Sequence, residues 1–196
     1  MAGFNTLGGA SRAIVKKRVR LACAPPPPIA ARALSLARSD GLLIAAGRAA
    51  RCRFGRSGRR VRKREGDGAS PCGVFALRRI FFRPDRVPRP VSGLPAIAIT
   101  PRLGWCDDPK SPVYNQLIRL PSPWRHETMW RDDHLYDLCI EIGYNDAPAR
   151  RGAGSAIFLH LENPQGGPTQ GCIAISRRDM ARLLPRLGPA SRIRIG

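Results

Sequence analysis

Among the side chains that could do covalent chemistry, His160 and Cys172 combine an imidazole with a thiol twelve positions apart, each beside an apolar run. A thiol is a useful nucleophile only as thiolate, and a neighbouring imidazole can take its proton and return it later. Between them, Asn163-Pro164-Gln165-Gly166-Gly167-Pro168 is dense in turn formers and predicts a reversal or loop that brings Cys172 back beside His160. Gly171 precedes the thiol. Without a Cβ there, a substrate carbonyl can approach the main chain, and backbone N–H groups of Gly171 and Cys172 can face a developing oxyanion. The group that orients His160 stays open between a backbone carbonyl and Ser155. The alternative for this pair is a packing cysteine and a structural histidine.

These residues need rigid elements to hold them. Ser155 to Leu161 alternates Ala156, Phe158 and His160 against Ile157, Leu159 and Leu161, so as a strand it points His160 to one face. After Cys172, Ile173-Ala174-Ile175 reads as a short strand, and Ser176-Arg177-Arg178-Asp179 as a helix start. Met180, Leu183, Leu184 and Leu187 then form a buried stripe, and Pro185 ends or kinks the helix.

Further strands are predicted as a hairpin over 41–54 turning at Gly47-Arg48, and over 73–82, 96–99, 134–142 and 191–195. In the 134–142 strand Tyr136, Leu138, Ile140 and Ile142 share a face. Residues 56–64 read as a solvated basic loop. The stretch from Gly104 to about Asp133 reads as a long irregular region, with Trp105, Tyr114, Trp124 and Trp130 either walling a peptide cleft or covering the core. Glu65 to Pro71 is turn chemistry. His134 stands as a second pocket histidine or a structural one. His126, His134 and the nearby Asp and Cys residues lack metal-ligand spacing, so no metal is expected.

The charge is uneven: residues 1–65 carry 16 Lys/Arg against Asp40 and Glu65, and the remainder 18 against 12. This favours polyanionic surroundings, but the basic stretches lack interleaved aromatics for stacking bases, so nucleic acid is an unlikely partner. Six cysteines are scattered without a C-x-x-C pair, against a zinc ribbon or a thioredoxin-type motif. Residues 1–40 read as a variable basic, proline-rich leader. Pro25 to Pro28 interrupt any secretory apolar core, and no run reaches the ~18 apolar residues of a membrane span.

Ile157-Phe-Leu-His160 followed by Thr169-Gln170-Gly171-Cys172-Ile173-Ala174-Ile175 resembles the active-site signature of the L,D-transpeptidases, bacterial enzymes that cross-link peptidoglycan. Lys63-Arg-Glu-Gly66-Asp67-Gly68-Ala69-Ser70-Pro71-Cys72-Gly73 resembles the glycine/aspartate turn ahead of that family's core strands. Together the two span about residues 40 to 196. One gap length and three positions depart from the usual pattern. The His-to-Cys gap is shorter, Leu161 stands in place of a glycine, Gln170 in place of a histidine, and Ala174 in place of a common arginine.

The resemblance implies a mainly β, sheet-rich single domain over 41–196 with one or two short helices. Its nucleophile would be Cys172, its base His160 and its oxyanion backbone at Gly171. It needs no cofactor, takes peptidoglycan stem peptides as partners and carbapenem-type compounds as inhibitors, and works in the periplasm or cell envelope. The same machinery with water as acceptor is an L,D-carboxypeptidase-type hydrolase. A non-catalytic basic wall-binding or nucleic-acid-binding protein is the alternative from another class. Oligomeric state is open.

Overall fold

The computed structural model describes residues 28–32 and 38–196, so most of the predicted leader lies outside the described residues. The chain is β-rich, with one short α-helix among the described residues. Strands β1 (Ile29–Arg32), β2 (Asp40–Ala45) and β3 (Arg48–Arg53) open it. The predicted hairpin forms with its turn one residue earlier than Gly47-Arg48: Ala46 and Gly47 both have positive φ, 48° and 74°, a turn whose twist suits paired strands, and Arg48 opens β3. However, β1 lies between β2 and the last strand, so the sheet begins ahead of the expected boundary at 41.

Two short strands follow, β4 (Arg59–Arg60) and β5 (Ser70–Pro71), which pair in parallel. The basic stretch 56–64 is therefore only partly a solvated loop. Arg59 and Lys63 are buried, the first with its guanidinium over the Phe54 ring. Strand β6 (Gly73–Phe82) is the longest, and β7 (Ala96–Ala98) runs parallel along it.

The predicted irregular region holds a three-stranded sheet of β8 (Leu103–Cys106), β9 (Leu117–Arg119) and β10 (His126–Thr128). Strands of three or four residues are too short to show alternation. Trp105, on β8, and Tyr114 are buried, and Trp130 packs on the core with Arg83 over its ring, so these three cover the core rather than wall a cleft, while Trp124 is half-buried.

The last strands are β11 (Leu138–Ile142), β12 (Phe158–Leu161), β13 (Ile173–Ile175) and β14 (Arg192–Ile195). Hydrogen-bonded neighbours run β11-β12-β13-β3-β2-β1-β14-β6, and β6 also pairs with β11, so eight strands close a circuit. Each contributes to the main core, from Ile29, Leu43 and Cys52 to Leu159, Ile173 and Ile193. Helix α1 (Arg177–Leu183) caps that core with Met180 and Leu183, and Leu184 and Leu187 add to it as predicted. Ser176 accepts from the Asp179 N–H at its start, and Pro185 falls in a 3₁₀ turn, Leu184–Arg186, that ends it.

A second cluster lies on the opposite face of β12, where Phe81, Ile99, Trp105, Met129, Tyr136, Cys139, Phe158 and Cys172 pack. Tyr136 belongs here, not with Leu138 and Ile140. The chain turns at His134 (φ 65°) and Asp137, whose carboxylate takes Arg86, Arg177 and His134, so strand geometry starts only at Leu138.

Candidate functional site

Strand β12 carries His160 and β13 follows directly on Cys172. The two strands are parallel, with Leu159 opposite Ile173 and His160 opposite Ala174. The segment 162–172 is therefore a crossover rather than a hairpin. With this register Cys172 lies two residues before Ala174, a diagonal neighbour of His160 on the same face. Ile157, Leu159 and Leu161 point into the main core, and Ala156 and Phe158 to the other cluster, as the alternation predicts. Both His160 and Cys172 line a cleft of about 470 Å³.

His160 is oriented by the Leu161 carbonyl, 2.7 Å from Nδ1. A carbonyl only accepts, so Nδ1 carries the proton and Nε2 is the basic nitrogen of the neutral ring. Ser155, the other candidate, instead donates to Glu65 Oε2 at 2.7 Å. Burial lowers the His160 pKa to about 4. The Leu161 carbonyl opposes this, and Arg131 adds to it. Tyr136 stands edge-on to the imidazole with ring centroids 5.5 Å apart.

Cys172 is 9% exposed, and its thiol is bonded on both sides. It donates to the Ala156 carbonyl at 3.2 Å and accepts from the Phe158 N–H at 3.3 Å. Burial pushes Cys172 up to about 12, and Glu127 pushes the same way. The Phe158 N–H, Lys63 and Tyr136 pull back. No hydrogen bond joins His160 to Cys172 among the described residues, so the resting pair is a neutral thiol and a neutral imidazole sharing one wall.

Ala156 interrupts the predicted strand. Its φ is 52°, and its N–H donates to Asn115 Oδ1 at 3.0 Å, so ladder pairing begins only at Phe158. Asn115 itself is buried. It also accepts from Trp105 Nε1 and donates to the carbonyls of Tyr144 and Asn145, tying three loops to the residue that holds the thiol.

Gly171 has φ 136°, and a Cβ there would lie 2.9 Å from the Ala69 carbonyl. The turn at Glu65 to Ser70 therefore packs directly on the residue before Cys172. The Gly171 N–H donates to Thr169 Oγ1 at 3.1 Å, so it is already engaged rather than facing the cleft as expected. Thr169 also donates to the Cys172 carbonyl at 2.7 Å, and Ser70 to the same oxygen at 3.0 Å. Two buried hydroxyls thus clamp the main chain of Cys172, and the backbone bonds of Thr169 to Phe54 and Arg56 fix the crossover to the end of β3.

Lys63 enters the cleft wall beside Gly171. Its Nζ lies 2.7 Å from Asp67 Oδ1, and both side chains are at most 9% exposed. Burial alone would raise Asp67, but Lys63 and the Arg64 and Ala69 N–H groups hold its carboxyl below the usual range. Across the cleft, Tyr136 donates to Glu127 Oε1 at 2.6 Å, and burial raises the Glu127 carboxyl. Sequence reasoning missed Tyr136, Glu127 and the clamp by Thr169 and Ser70. The one local signal was a threonine three residues before Cys172. His134 is exposed and paired with Asp137, away from the cleft. His126 bonds the Trp124 carbonyl. No cluster of metal-ligating side chains occurs among the described residues.

No curated protein and no solved structure matches the chain significantly. The L,D-transpeptidase catalytic domain (YkuD) matches residues 29–195, which span every strand from β1 to β14. The chain therefore belongs to the L,D-transpeptidase catalytic-domain family, whose members act on peptidoglycan peptides.

Proposed function

We propose that the protein is a cysteine-dependent L,D-transpeptidase that works on peptidoglycan stem peptides through a thioester. The observation that carries this is the tautomer of His160: with Nδ1–H committed to the Leu161 carbonyl, Nε2 is left as a base in the cleft that Cys172 also lines. In the acylation step Cys172 Sγ attacks the carbonyl ahead of the donor's terminal D-alanine, and its proton passes to His160 Nε2. The C–N bond breaks, the departing amine takes that proton from His160, and a thioester remains. An acceptor amine then attacks the thioester and gives its proton to His160, which returns it to the sulfur as the thiolate leaves.

Because the thiol and the imidazole are both neutral at rest, proton transfer accompanies attack rather than preceding it. Of the two backbone N–H groups expected to meet the oxyanion, that of Cys172 is the one this mechanism uses, since that of Gly171 is engaged by Thr169. Lys63 supplies a fixed positive charge beside the forming thiolate. A donor tetrapeptide with and without an acceptor amine tests the reading. Cross-linked product is expected with the acceptor present, and D-alanine release by the Cys172→Ala variant at the natural rate would overturn it. Hydrolysis that ignores the acceptor would instead make the protein an L,D-carboxypeptidase. By this reading its place is the cell envelope, and carbapenem-type compounds acylate Cys172. No described helix is long and apolar enough to cross a membrane.

A further inference from the structure

The charged side chains that line the cleft are Lys63, Glu65, Asp107, Glu127, Arg131 and Asp133. Five of them have an oppositely charged partner within 4.0 Å: Lys63 has Asp67, Asp107 has Arg125, and Arg131 has both Glu127 and Asp133. Glu65 has none among the described residues. Its Oε2 is instead held by two hydroxyls, that of Tyr114 at 2.5 Å and that of Ser155 at 2.7 Å. Tyr114 and Ser155 are themselves at least nine-tenths buried, and Tyr114 is fixed again by the Gly154 N–H at 3.0 Å. Burial and the bond to Glu65 push the Tyr114 phenol well up, so it stays a donor.

Three separate stretches of chain thus build a rigid mount for one carboxylate. Oε1 is left without a hydrogen-bond partner among the described residues. Glu65 itself lines the cleft, so a ligand there can reach it. The mount is one residue from the chemistry, because Ser155 precedes Ala156, whose carbonyl accepts the thiol proton. A carboxylate fixed by neutral donors, with no ion pair within 4.0 Å among the described residues, is complementary to a cation with hydrogens to give, and a primary ammonium fits both demands.

We infer that Glu65 binds a primary ammonium group on the side chain of the donor peptide and so selects donors that carry one. The inference rests on the function proposed above and adds to it the residue that reads the donor. Two donor peptides that differ only in acetylation of the side-chain amine test it, with single-turnover D-alanine release as the readout on the full chain. The natural protein is expected to prefer the free amine by about tenfold or more, the scale of one charge-assisted hydrogen bond. The Glu65→Gln variant keeps an oxygen for Tyr114 and Ser155 but not the charge, and the preference should fall to near one. An equal preference in both proteins, or none in the natural protein, overturns the inference while leaving acylation of Cys172 standing. Failure of both donors to acylate the natural protein sinks the proposed function itself, and the inference with it.

Discussion

In the proposed mechanism His160 is the base, and its burial sets a pH signature. With its pKa lowered to about 4, the ring stays neutral and basic through the whole range where an exposed histidine would be charged. The acid limb of kcat/KM should therefore fall near pH 4, not near 6.5, and a limb at 6.5 in the free enzyme would contradict the buried setting. The same shift bears on stability with a definite sign. Between about pH 4 and 6.5 the unfolded chain takes up a proton that the folded one refuses, so this contribution is full above 6.5 and is lost as pH falls toward 4. Thermal melts across that window should show Tm dropping with acid, and His160→Asn should flatten the part due to this residue. His160→Asn should also cost about 10²-fold to 10⁴-fold in acylation rate, read by single-turnover D-alanine release. The thiol, pushed up to about 12, should alkylate slowly at pH 7 and faster as pH rises past 9. Lys63→Met should slow that alkylation further at a given pH, because it removes a positive charge from beside the sulfur.

At the scale of elements, the site is a pair of parallel strands joined by a crossover and clamped from outside. Asn115 bonds Ala156, Trp105, Tyr144 and Asn145 at once. Asn115→Leu should destabilise the fold by about 3 kcal/mol, because it leaves several buried polar groups unmade, and denaturant melts measure it. Gly171→Ala should be damaging for a different reason. Its Cβ would meet the Ala69 carbonyl at 2.9 Å in a backbone conformation that side chains rarely adopt, so soluble protein should show reduced acylation of Cys172. Much of this layer was legible in the sequence. The face of His160, the hairpin turn at Gly47 and the stripe from Met180 to Leu187 all follow from periodicity, because each belongs to an element whose neighbours also obey it. The rest was not legible for physical reasons. The strand over 155–161 begins late because Ala156 answers a distant asparagine, and the 134–142 strand begins late because Asp137 gathers cations from elsewhere. The clamp on the Cys172 carbonyl uses Ser70, about a hundred positions away, and β8 to β10 are too short to carry a period.

For the whole molecule, the circuit of eight strands needs β1, which carries Ile29 and Ala31 into the core between β2 and β14. A chain begun at residue 28 should melt cooperatively, whereas one begun at residue 33 should lose the transition, since it breaks both pairings of that strand. Equal melting of the two would mean that the domain does not need β1. The predicted boundary missed this strand because alanine and a preceding proline run give Ile29–Arg32 no strand pattern to read. The central claim is that this scaffold presents Cys172 as a nucleophile to a peptide carbonyl. Intact-mass analysis after exposure to a carbapenem-type β-lactam tests it most directly. The account predicts one added inhibitor mass on the natural chain and none on the Cys172→Ser variant. An unmodified natural chain, or equal labelling of the two, would contradict it.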